Sequence, residues 1–189
     1  MEEGLRKFAA FVEEGCSPIL DGNLEVLKSP IGDGELSRDY CMKFANKQKV
    51  LPTFLVELGD AQVSHYLLRW CVNGSRMKRL ARTTPPTETI EAAQAFDIGV
   101  REAFAAACAV ALSEQQSRRV SFPLRDGGVG LRPIGNRADA AYIASTAVTH
   151  KLCEPIWEGY GGSESSRDSA LQEAAGSISL RTPACWRAT

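Results

Sequence analysis

The sequence predicts a mainly α-helical bundle with a small β-hairpin near its start. Three observations carry that expectation. Apolar residues recur at spacings of three and four from Ile90 to Ala111, the mark of one buried face on a long helix. A second stretch, 138–151, is rich in alanine (Ala138, Ala140, Ala141, Ala144, Ala147), a strong helix former small enough for close helix approach. An Asp21-Gly22-Asn23 turn stands between two short apolar runs, which reads as a hairpin.

The elements follow in order. Leu5, Phe8, Phe11 and Val12 share a helical face, giving a short helix that ends near Gly15. The hairpin comes next and closes at Pro30 and Gly32. From Glu35 to Leu58 the pattern is helical, with a kink or break expected at Pro52, which lacks an amide hydrogen. Asp60 is placed to cap a helix over 61–72 that turns Val63, Leu67, Trp70 and Cys71 inward. Asn73 and Gly74 end it, and a short basic helix spans Ser75 to Arg82.

Pro85-Pro86 breaks the chain before the longest helix, Glu88 to Glu114, with Thr87 as its cap. Its stripe is Ile90, Ala93, Phe96, Val100, Phe104, Ala107 and Ala111. Residues 122–134, FPLRDGGVGLRPI, form a loop clamped by Leu124 and Leu131. Asn136, with Asp139 as its supporting acid, caps a helix running to about Lys151. Beyond Trp157 the chain turns to Gly and Ser (GYGGSESS), followed by a weak helix and an irregular tail.

At 189 residues the chain suits one sizeable core, and 44% hydrophobic with 24% charged residues is ordinary for a globular protein. No apolar run approaches the length of a membrane span, and the acids around the first apolar residues do not make a secretory signal. The six cysteines include no CxxC pair, so buried free thiols and an intracellular location, cytoplasmic or nuclear, are expected. The net charge of -1 hides an asymmetry: residues 61–153 carry 12 Lys/Arg against 7 Asp/Glu. An anionic partner is therefore sought in the middle of the chain.

The strongest charge feature is RWCVNGSRMKRLAR (69–82), five basic residues and no acid. At helical spacing Arg76 and Arg79 share one face, with Lys78 and Arg82 on the next. Such a face suits nucleic-acid phosphates, and a solvated helix surface is the plain alternative. A second cationic set, Arg118, Arg119, Arg125, Arg132 and Arg137, surrounds the glycine-rich loop. A tight turn at Gly127-Gly128 would bring Arg125 near Arg132 and offer glycine amides to a phosphate. A plain connector is the favoured reading, since neither a Walker loop nor a dinucleotide fingerprint is present. His65 and His150 have no nucleophile beside them in sequence. His150 and Cys153 lie one turn apart, but a metal would need Cys71 or Cys108 as well. No Asp-Asp dipeptide occurs, so the simplest two-metal polymerase signature is missing.

Four fragments, taken in order, resemble one family. VLKSPIG (26–32) resembles the "vLGsPIG" stretch downstream of the catalytic aspartates in reverse transcriptases of non-LTR retrotransposons, with Lys28 where that family carries glycine. HYLLRWCVNGSRMKRLARTTPP (65–86) resembles the following "LLR-x-c…LlRt-x-PP" segment. AFDIGVREAF (95–104) resembles the next helix, with Asp97 at its usual acid. FPLRDGGVGLRPIGNRADAAYIAS (122–145) resembles the family's "LP…GGLGLrs…a-x-x-AAylaS".

The resemblance covers about residues 20–150 and implies the end of the palm, the helical thumb and the region beyond it. It divides the chain into a palm-end remnant (1–34, helix plus hairpin), a helical thumb-like domain (35–153) and a Gly/Ser-rich, poorly ordered tail (154–189). It also implies a grip on the backbone of a template-primer duplex without sequence preference, by Arg69, Arg76, Lys78, Arg79 and Arg82. Arg125, Arg132 and the turn glycines Gly127, Gly128 and Gly130 are secondary candidates. The palm aspartates are not in this sequence, so no catalytic residue, metal or cofactor is expected, and no polymerisation by this chain alone. The remainder of the polymerase would be its natural partner; no membrane and no small-molecule substrate is expected. The alternative is a helical protein-interaction module, or a decayed or domesticated remnant, that docks a partner through the Ile90–Ala111 stripe.

Overall fold

The computed structural model describes residues 23–153 and 164–181. The expected helix around Leu5–Val12 lies outside the described residues. The chain is mainly helical with a two-stranded antiparallel hairpin. Strands β1 (Leu24–Val26) and β2 (Ser29–Ile31) pair Leu24 with Ile31 and Val26 with Ser29. The turn between them is therefore Leu27-Lys28; Asp21 and Gly22 of the expected turn lie outside the described residues. Both turn residues have positive φ, 50° and 61°, the mark of a two-residue turn whose twist matches its strands. Asn23 stands before β1, where its side-chain oxygen accepts the Asp33 amide hydrogen at 3.1 Å and ties the ends of the hairpin together.

Helices α1 (Gly34–Gln48) and α2 (Val50–Val56) follow, with the break at Lys49 rather than at Pro52. Pro52 stands in the first turn of α2, where no intrahelical amide hydrogen is needed. Its ring cannot coexist with a helical carbonyl four residues back, at Gln48, so α1 must end before it. Asp60 caps α3 (Ala61–Leu67) as expected, accepting from the amides of Gln62 and Val63 at 2.9 and 3.0 Å. The helix then widens into a π-helical segment, Leu68–Val72. Its fully buried face is Ser64, Leu68 and Val72; Leu67 packs partly buried against the core as expected, while Val63, Trp70 and Cys71 are exposed. The Ser64 hydroxyl donates to the Leu55 carbonyl at 2.7 Å inside the core, which sets the rotation of the helix. Trp70 and Cys71 consequently face solvent.

A turn over 73–77 leads to α4 (Lys78–Thr83) and then to α5 (Pro86–Ala107). Pro86 is the first residue of α5, a position that suits its fixed φ, so Thr87 lies inside the helix rather than at its cap. The helix ends at Ala107, not at Glu114. Ala109, with φ of 51°, takes the left-handed conformation. The amides of Ala109 and Val110 turn back to the carbonyls of Ala106 and Ala105 at 3.1 and 2.9 Å, closing the helix end. Ser113 then caps a separate helix, α6 (Glu114–Val120), in a reciprocal box with Gln116. Ala111 thus lies outside the helix and is exposed.

The core gathers Cys41, Ala45, Leu55, Leu68, Val72, Met77, Leu80, Phe96, Val100, Phe104, Val120, Leu131 and Ile134 around α5. Helix α5 packs against α1, α2, α3, α4 and α7 (Ala138–Cys153), so it is the central post of the bundle. Its Ala93, Phe96, Val100 and Phe104 are buried in that core. The stripe is a packing face of this fold and not a free docking surface. The alanine-rich α7 lies against α4 and against α8 (Glu164–Arg181), which falls within the segment read as a poorly ordered tail. Ala174 of α8 is buried, and the Ser177 hydroxyl donates to the Asp139 carboxylate at 2.6 Å. Asp139 is therefore buried beneath α8, and α7 begins at Ala138 rather than directly after Asn136. No described helix is long and apolar enough to cross a membrane.

Left-handed backbone strains a residue with a Cβ, and glycine relieves it. Ala109→Gly is expected to raise stability by about 0.5–1 kcal/mol in urea denaturation, the relief being larger than the entropy glycine adds to the unfolded chain.

Candidate nucleic-acid interface

Helix α4 is short because Met77 begins it inside the core and Thr84, buried ahead of two prolines, ends it. Leu80 and Ala81 hold its inner face, which turns Lys78, Arg79 and Arg82 outward. The small side chains of α7 let that helix come close, and the two helices border a groove of about 390 Å³ lined by Ser75, Lys78, Arg79, Arg82, Thr83 and Ser145. Among the described residues none of the three cations is within salt-bridge distance of a carboxylate. Arg79 does pass its guanidinium over the Phe44 ring, 5.9 Å from the centroid, which steadies the side chain without neutralising it. Three unneutralised cations beside three hydroxyls suit the oxygens of a phosphate chain.

Arg76 is not part of that helical face. It lies in the 73–77 turn, where its Nε donates to the Cys71 carbonyl at 3.2 Å. Arg69 lies elsewhere again, with its guanidinium 4.8 Å from the centre of the exposed Trp70 ring. Arg125 is exposed and 3.6 Å from Asp126. Arg132 is exposed as well, and its like charge helps push the Arg137 guanidinium below its ordinary pKa, second to burial. The structure thus brings together Lys78, Arg79 and Arg82, and leaves the other candidates in separate places.

The glycine-rich loop is a brace. After a short 3-10 turn (Leu124–Asp126) the chain takes left-handed backbone at Gly127 and Gly130, with φ of 72° and 79°. The amides of Gly127, Gly128 and Gly130 donate to the carbonyls of Leu124, Pro123 and Phe122 at 3.1, 3.0 and 2.8 Å. They are engaged within the loop, so they do not form a phosphate cradle. A Cβ on Gly128 would overlap the Phe122 carbonyl, which is why the loop can fold so tightly there. Leu131 is buried, but Leu124 is exposed, so the clamp is one-sided.

Three residues four apart on α3 and its extension hold this loop. His65 Nε2 meets the Val129 carbonyl at 2.9 Å, and Asn73 donates to the Gly130 carbonyl at 3.3 Å. Between them Arg69 lies against Gly130, where a Cβ would sit 3.0 Å from its Nε. The sequence offers the spacing 65, 69, 73 as a signal of a shared helical face, but nothing in it names the carbonyls they meet.

Asp97 anchors the far end of the loop. Its two carboxylate oxygens accept the amide hydrogens of Ile134 and Gly135, each at 2.9 Å. Burial raises its pKa above the ordinary carboxylate value, while the two amides and Arg101 pull the other way. Cys41, fully buried, is pushed up to about 11 by burial and by Glu88, against a smaller pull from the Thr84 hydroxyl. Its thiolate is suppressed at neutral pH, so it is no nucleophile. Burial also raises Cys108. Cys41, Cys71, Cys108 and Cys153 are free thiols, with Cys71 exposed rather than buried. Among the described residues no group of three or more His, Cys, Asp or Glu side chains is arranged to hold a metal.

Comparison of the chain with protein-family models, curated proteins and solved structures finds no match.

Removing the Asp97 carboxylate leaves two amide hydrogens without their partner, so Asp97→Ala is expected to lower stability by about 2–4 kcal/mol. The pH dependence has a definite sign. A raised folded-state pKa means that the group's stabilising contribution is complete below the ordinary carboxylate value and declines as pH rises through the raised one. The stability difference between the wild-type chain and Asp97→Asn, followed by denaturant titration across the acidic range, should shrink over that interval and then level. At the other end of the loop, Gly130→Ala forces left-handed backbone on a Cβ that meets Arg69. A loss of about 1–2 kcal/mol in thermal or urea unfolding is expected.

Proposed function

We propose that the chain is the C-terminal, thumb-like part of a reverse transcriptase of the non-LTR retrotransposon type, and that it grips the backbone of duplex nucleic acid. The single observation that carries the binding half is the α4–α7 groove, with Lys78, Arg79 and Arg82 exposed and, among the described residues, not paired with a carboxylate. The four ordered fragments that resemble the family support the assignment to a polymerase thumb. Contacts of this kind reach phosphates and sugars, which fixes position and carries no sequence information. That suits an element that slides along any template. On this reading the chain does no chemistry of its own, needs no metal or cofactor, and acts inside the cell beside the polymerase remainder.

A protein-interaction module is the second reading. One observation favours it: Val50, Phe54 and Leu58, four residues apart and each more than half exposed, make an apolar row along α2 and its end.

Neutralising three phosphates makes the logarithm of affinity fall with the logarithm of salt at a slope of roughly -2.7, or about 40-fold between 50 and 200 mM. A polarisation titration of labelled duplex should show that slope. Lys78→Ala/Arg79→Ala/Arg82→Ala should abolish most of it while circular dichroism stays unchanged. Absence of duplex affinity at low salt, or affinity indifferent to the triple substitution, would sink the backbone grip.

A further inference from the structure

The geometry points to a second element of recognition on the α3 surface: a stacking platform for unpaired bases, formed by Tyr66 and Trp70. The inference rests on the nucleic-acid reading above and deepens it, because it makes single-stranded polynucleotide, beside duplex, a ligand of the chain. Tyr66 and Trp70 are one helical step of four apart and are 59% and 65% exposed. Large aromatic rings in that spacing form a face left exposed among the described residues.

The rings are held in place before any ligand arrives. The Tyr66 and His65 rings stand in a T-shaped pair, 6.2 Å between centres at 61°. His65 is itself held by the Val129 carbonyl at 2.9 Å and by a T-shaped contact with the Phe104 ring, 5.9 Å between centres. Trp70 carries the Arg69 guanidinium 4.8 Å from its ring centre, and Arg69 lies against Gly130. Side chains fixed in this way lose little freedom on binding.

Charge identifies the occupant. No acidic residue occurs between Asp60 and Glu88, while the Arg69 guanidinium lies over the Trp70 ring. Arg76 is turned toward the same stretch by its bond to the Cys71 carbonyl. Flat aromatic faces set among cations match a strand whose bases are unstacked and whose phosphates are anionic. A duplex presents base edges, with the base faces already stacked on one another, and gains nothing from such rings. A protein partner would have to bring acids to the arginines and an apolar face to the rings, which the row on α2 does not require.

The test uses the whole chain with Trp157→Phe and Trp186→Phe, so that Trp70 is the sole tryptophan reporter. Short oligothymidylate should quench its emission, and a duplex bound at the same salt should not. Trp70→Ala or Tyr66→Ala, checked for folding by circular dichroism, should weaken single-strand binding roughly 5- to 100-fold and leave duplex affinity and its salt slope unchanged. Three results would overturn the platform. Trp70 emission could stay constant while the strand binds, or the alanine variants could bind single strand as tightly as wild type. The variants could also lose self-association in light scattering with strand binding intact, which would give this face to protein. If duplex binding persists in any of these cases, only the platform fails. Should neither duplex nor single strand bind, the backbone grip falls and the platform with it.

Discussion

Midway along the central helix, the Asp97 carboxylate takes the neighbouring amide hydrogens of Ile134 and Gly135, and that pair of bonds fixes where the loop ends and α7 begins. The loop from Phe122 to Ile134 has little regular structure to hold it, and both ends must be pinned for α7 to start where it does. Asp97 pins one end against α5. His65, Arg69 and Asn73 pin the middle against α3. Between the pins, Leu131 and Ile134 drop into the core and Ala138 opens α7 fully buried. Burial makes the ionised carboxylate costly in that half-buried place, the two amides and Arg101 offset part of that cost, and an unpartnered pair of amides would cost at least as much.

Both candidate surfaces descend from this arrangement. The basic groove exists because α7 lies close to α4, and α7 can lie close because its contact residues are small. The aromatic pair exists because the loop brace occupies the 65, 69, 73 face of α3 while the core takes 64, 68 and 72. Tyr66 and Trp70 are what remains for solvent. One helical segment thus serves three neighbours at once: core, brace and water.

Local sequence signals worked where the physics is local. The Asp60 cap, the basic segment before the double proline and the long α5 face were all legible, because each depends on residues within a turn or two. The Ser113–Gln116 box was also legible in principle, and an apolar spacing that happened to continue past Ala107 hid it. Other features were not legible. Leu27 and Lys28 form the hairpin turn without the glycine or asparagine such turns favour, and pairing of Val26 with Ser29 overrides their preference. The rotation of α3 was set by one buried hydroxyl meeting a carbonyl on another helix, a contact no periodicity encodes. Among the cations, sequence spacing grouped Arg76 with Arg79, and the turn over 73–77 separated them.

By itself the sequence determined the mainly helical class, the hairpin near the start, the capped entry to α3 and the concentration of positive charge between Arg69 and Arg82. These follow from propensity, capping and composition, which act over a few residues. Only the tertiary structure decided which cations share a groove, which aromatic rings face water, and that the glycine-rich loop is a brace whose amides are engaged within itself. Those outcomes depend on where a side chain meets a backbone group tens of residues away, and such meetings are fixed by packing against α5.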